Sequence, residues 1–134
     1  MIARRAETAL RGQAWASLEG SYAATLHGRL VAAVRRPEEA GFLRESALDS
    51  GDLTRDEVVQ WLKSHGICGP VDAIWISAKE GIRLDASTFF EHYDDLWFPA
   101  ADDIVVSSRD GAWLLYLGHE EDFVLWRRSQ STSA

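Results

Sequence analysis

The chain has 134 residues, a formal net charge of −7, 46% hydrophobic residues, six Trp and one Cys. A chain of this length builds one core and one domain, and its acidity argues against a general nucleic-acid or anionic-membrane binder. Cys68 alone supplies neither a disulfide framework nor a cysteine zinc site, and no apolar run approaches the roughly 20 residues of a membrane span.

Met1-Ile2-Ala3-Arg4-Arg5 is basic but has no apolar signal core behind it, so no export signal is read and a cytoplasmic location is expected. Residues 2–36 lack proline, and Trp15, Leu18, Tyr22, Leu26, Leu30 and Val34 recur at helical spacing. Gly12, Gly20 and Gly28 each weaken a helix by about 1 kcal/mol relative to Ala. The pattern predicts a short helix near 2–12 and a longer one near 16–35, or one bent helix. Arg35 and Arg36 suit the negative end of a helix, and Pro37 stops it. Residues 37–53 read as a connection that includes one helical turn.

Thr54-Arg55-Asp56-Glu57 is a capping box, followed by Val58, Val59, Trp61 and Leu62 and closed by His65-Gly66. From Val71 the period changes. Val71–Ser77 and Gly81–Leu84 predict a hairpin. Asp85 or Ser87 can cap a short helix carrying Phe89, Phe90, Tyr93 and Leu96. Strands follow at 104–107, 113–117 and 123–126, with Asp110-Gly111 at the first turn. The expected fold is α+β: a single domain over 1–134, mainly helical over 1–66 and mainly strands over 71–128. Its N-terminal helices should pack on one face of an antiparallel β-meander, and 129–134 should be a frayed tail.

Charge is uneven. Residues 1–36 hold six Arg against two Glu, whereas 37–134 hold eight basic and 19 acidic residues. Between Asp85 and Asp103 there are six carboxylates and no Lys or Arg. Inside that run, Asp94-Asp95 and Asp102-Asp103 flank Trp97-Phe98-Pro99. Large aromatic rings seek burial or a partner's grip, while crowded carboxylates repel one another until a cation, water or a basic group relieves them. Pairing of strands 104–107 and 113–117 would bring Asp102 and Asp103 to the same end of the sheet as the turn His119-Glu120-Glu121-Asp122.

Aromatic anchors ringed by carboxylates have the composition of a protein-binding surface. The expected partner-binding residues are Tyr93, Asp94, Asp95, Trp97, Asp102, Asp103, Glu120 and Glu121, facing a basic protein. No catalytic residue, metal or cofactor is assigned, and neither nucleic acid nor membrane is expected as a partner. The alternative is a small hydrolase holding Mg²⁺, Mn²⁺ or Ca²⁺ through Asp102, Asp103, His119 and Glu120. A homodimer packed through the helix at 16–35 is a further possibility. His65 and Cys68 lack an orienting third group, and no phosphate-binding glycine loop follows a strand.

The run Asp94-Asp95-Leu96-Trp97-Phe98-Pro99 with Asp102-Asp103, then Trp113-Leu114-Leu115 and His119-Glu120-Glu121, resembles a pattern of small acidic bacterial proteins, over roughly residues 55–128. In size, acidity and layout the chain is also similar to immunity proteins that neutralise bacterial toxins. That resemblance implies an inhibitor of a basic toxin domain, without assigning it any residue.

Overall fold

The computed structural model describes residues 2–99 and 101–129. In chain order the elements are α1 (Ile2–Ala9), β1 (Trp15–Leu18), α2 (Gly20–Arg35), β2 (Phe42–Asp49), α3 (Arg55–Ser64), β3 (Pro70–Trp75), β4 (Glu80–Asp85), α4 (Ala86–Glu91), α5 (Tyr93–Leu96), β5 (Ile104–Ser108), β6 (Trp113–Leu117) and β7 (Asp122–Arg128). The strands form one antiparallel sheet in the order β1-β4-β3-β5-β6-β7-β2. The class is α+β, as the change of period at Val71 predicts.

Alternation along the strands separates two cores. Val71, Ala73 and Trp75 of β3 join one cluster and Ile74 the other; Ile104 and Val106 of β5 oppose Val105 in the same way. Helix α1 covers the first face through Ile2 and Ala6, beside Val58 and Leu62 of α3 and Phe89 and Phe90 of α4. Helix α2 covers the second face through Leu26, Leu30 and Ala33. The two N-terminal helices therefore lie on opposite faces, not together on one.

The cause is β1, in a stretch whose spacing predicts helix. Gly12 (φ +81°) and Gly20 (φ +67°) adopt left-handed conformations on either side of it and interrupt the helical path. Trp15–Leu18 then pairs with β4 at the sheet edge. From there α2 crosses the sheet. Its 16 residues span about 24 Å, against about 29 Å for the six interstrand spacings between the two edges. Residues 36–41 complete the crossing and deliver the chain to β2 at the far edge.

Strand β2 occupies the segment read as a connection. A register shift between Arg44 and Ser46 spoils the two-residue period that would have marked it. Glu45, at the shift, accepts bonds from Arg127 Nε and Nη2 at 2.6 and 3.0 Å. The Arg127 guanidinium, with His65 behind it, holds the Glu45 carboxyl below its ordinary value.

Local chemistry elsewhere yields the expected elements. Glu57 N donates to Thr54 Oγ1 at 3.2 Å and Thr54 N to Glu57 Oε1 at 3.1 Å, completing the capping box of α3. Gly66 (φ +71°) follows its last turn. Of the expected tail, Ser129 N donates to Gly41 O at 2.8 Å, and 130–134 lie outside the described residues. Among the described residues no helix is long and apolar enough to cross a membrane.

Candidate functional site

The acidic run folds over the α1 side of the sheet. Asp85 accepts from Ser87 N at 3.1 Å and so caps α4; the chain breaks at His92 and turns once more as α5. The buried side of α5 carries Tyr93 and Leu96, and Trp97 follows directly. Tyr93 is 6% exposed and Trp97 4%. Their rings rest on Phe123 at centroid distances of 5.9 and 5.3 Å. Trp97 Nε1 donates to Asp102 O at 3.3 Å. Both rings belong to the protein's own core and offer no anchoring area to a partner, which corrects the expectation for Tyr93 and Trp97. Phe98 is the ring left at the surface, with the Arg5 guanidinium 4.3 Å above it.

Asp102 is also committed internally. Its Oδ2 accepts from Arg5 Nη1 at 2.6 Å and from Phe98 N at 2.9 Å, and the same Arg5 nitrogen donates to Leu96 O at 3.0 Å. The charge expected to meet a partner is met by α1. Asp103, the next residue, points to the α2 side. Its Oδ1 accepts from Tyr116 Oη at 2.9 Å and His119 N at 2.8 Å, and His119 Nδ1 lies 3.0 Å away. Burial pushes the Asp103 carboxyl up, but the bonds from His119 and Tyr116 outweigh it and hold the group below its ordinary value. The same contact with Asp103 raises His119. Burial, with Asp103 as acceptor, pushes the Tyr116 phenol strongly up.

The predicted juxtaposition of Asp103 with the His119 turn is thus present, through the Ile104↔Leu117 register. The four-residue metal set is not. Asp102 and Asp103 diverge to opposite faces, and among the described residues no group of three His, Cys, Asp or Glu side chains could hold a metal ion. The alternative hydrolase loses its site on that geometry.

Three segments that meet around Phe123 carry exposed carboxylates. Glu120 and Glu121 occupy the exposed β6–β7 turn, where Glu121 takes φ +62°. Asp94 and Asp95 are exposed on α5, with Arg55 Nη1 4.0 Å from Asp94. The third segment is one that sequence reasoning missed, the loop Asp49-Ser50-Gly51-Asp52. Ser50 N and Oγ both donate to Glu121 O, at 2.9 and 2.8 Å. Asp49 lies opposite Asp122 in the β2–β7 ladder. Two loops with no Lys or Arg are thereby locked side by side. The signal for this was the strand before Asp49, concealed by its register shift.

The acidic end also borders a cavity of about 460 Å³ on the α2 side, between Val31, Val34 and Trp126, with Asp103 and Asp122 at its edge. The apolar stripe of α2 that a twin helix would need already faces the sheet through Leu26, Leu30 and Ala33. No family model, curated protein or solved structure matches the chain.

Proposed function

We propose that the protein is a non-enzymatic binding module whose acidic end engages a basic protein. The observation that carries this reading is the pair of loops at 49–52 and 119–122, held together by the Ser50–Glu121 bonds. Exposed Asp49, Asp52, Glu120 and Glu121 form a fixed set of like charges there. Their repulsion is relieved by an incoming cationic surface, and their fixed placement lowers the ordering cost of docking. Asp94 and Asp95 extend the charge along α5.

An immunity-type role, in which the module blocks a basic toxin domain, is the specific form of this reading. A cytoplasmic location goes with it and suits the free, exposed Cys68.

The test is capture from the native lysate at low and high salt, comparing the wild type with Glu120→Lys/Glu121→Lys. Both side chains are exposed, so charge reversal leaves the core intact. The expected result is a basic protein held by the wild type at low salt, released at high salt and not retained by the variant. Retention of the same partner by the charge-reversed protein would overturn the reading.

A further inference from the structure

The opposite end of the sheet has the opposite character. Strand β5 begins beside Asp103 and ends beside Arg109, and at the Arg109 end lies a cavity of about 550 Å³ between α2 and the sheet. Four arginines line it: Arg29, Arg36, Arg109 and Arg128. Its floor is apolar, from Leu30, Phe42 and Leu114. The volume falls within the range of small-ligand pockets, roughly 300–1,000 Å³. Such a gathering of cations in a chain of net charge −7 calls for a compensating anion.

Compensation among the described residues is weak. Glu39 reaches Arg36 only at 3.6 Å, with both side chains largely exposed. Asp110 is the other acid in the lining; its Oδ1 accepts from Ala112 N at 3.0 Å, and among the described residues no arginine forms an ion pair with it. Arg109 Nε stands 4.0 Å from Asp72, but Asp72 is already neutralised by Arg83, whose Nε and Nη2 donate to it at 2.8 and 3.2 Å. Tyr22 Oη donates to the same carboxylate at 3.3 Å. Arg109 is therefore a second cation beside a satisfied acid. Arg128 is fixed at the rim: its guanidinium lies 4.4 Å over the Phe42 ring and its Nε donates to Gly111 O at 2.9 Å.

We propose that this cavity binds a small phosphorylated ligand with a flat apolar or aromatic body. Guanidinium forks match the oxygen geometry of a phosphate, and the apolar part of the lining that reaches the surface, exposed Ala32 and half-buried Ala40 over the buried floor, gives the body a surface to cover. The concave, floored shape suits a small molecule, and the chain's overall negative charge repels a long polyanion. The site is remote from the acidic loops and does not rest on the binding role proposed for them.

Backbone-amide chemical-shift titration with adenosine monophosphate tests the proposal, with adenosine and inorganic phosphate as partial ligands. A single-stranded oligonucleotide serves as the long polyanion. The monophosphate should saturate, with shifts confined to residues near Leu30, Phe42 and Arg109–Gly111, and each partial ligand should bind at least about tenfold more weakly. Arg29→Gln/Arg36→Gln alters two exposed side chains and should weaken binding by about tenfold or more, the effect of losing a charge-assisted contact. Arg109→Gln should do the same independently. No saturable shift, shifts centred elsewhere, unchanged affinity in both variants, or tighter binding of the oligonucleotide than of the monophosphate would each overturn it.

Discussion

Arg5 and Asp102, 97 positions apart, meet through a 2.6 Å bond that fastens α1 to the segment leading into β5. Their side chains are 19% and 10% exposed, so water screens the pair only in part. The same carboxylate holds Phe98 N, and the same guanidinium holds Leu96 O. This is the point at which the basic N-terminal segment compensates the acidic run.

Asp102→Ala leaves the Arg5 charge and the Phe98 amide without their acceptor. The expected loss is about 3 kcal/mol of unfolding free energy, read as a lower urea midpoint at unchanged slope. Asp102→Asn keeps an oxygen for Phe98 N and should lose less. A loss under about 0.5 kcal/mol for the alanine variant, the range of ordinary surface changes, would show that the pair contributes nothing specific.

The Asp103–His119 contact gives a pH signature. Asp103 is lowered from its ordinary 3.8, so its contribution is complete above that value and is lost as pH falls through the lowered one. His119 is raised from 6.5, so its contribution is complete below 6.5 and is lost as pH rises through the raised value. The joint stabilisation therefore lies between about pH 4 and 6.5. In melting curves across pH, the gap in Tm between wild type and His119→Gln should be widest in that window and close at alkaline pH. Added salt should shrink it, because the His119 side chain is 61% exposed. A gap independent of pH would assign His119 a purely steric role.

Gly81 of β4 is closely surrounded, with no room for a side chain. A Cβ added there would lie 2.8 Å from Ala73 O and 3.0 Å from Leu18 Cδ1, and a backbone carbonyl in a paired strand cannot retreat. Gly81→Ala should cost about 1–3 kcal/mol by overpacking, measured by denaturant titration. A variant as stable as the wild type would show that the β3–β4 pair takes up a Cβ there without strain.

What the sequence disclosed was local. The Thr54–Glu57 box, the Asp85 cap and the apolar runs of β3, β5 and β6 are short-range signals, and each became the expected element. The approach of Asp103 to His119 was also legible, because hairpin pairing alone fixes it. The edge strands were not. Trp15 and Leu18 fit helical spacing as well as strand pairing, and the decision fell to the left-handed glycines at 12 and 20. In β2 the register shift at Glu45 erased the alternation. At the site, spacing could not separate core aromatics from exposed ones. Tyr93 and Trp97 are inside because Phe123 receives them, and Asp102 is neutralised because α1 lies over the same face and brings Arg5 to it. Both relationships join residues far apart in sequence.

The order in which the sheet is completed has a consequence for synthesis. Strand β2 pairs only with β7, whose residues emerge roughly 80 positions later, a delay of about 4–16 s at ordinary elongation rates. Strand β1 likewise waits for β4. The nascent first third of the chain therefore carries two unpaired strands joined by a helix whose apolar face has nothing to lie on. Its native contacts form only after the central strands appear, so closure of the fold is a late, long-range event. Until then this segment presents an apolar surface open to non-native association.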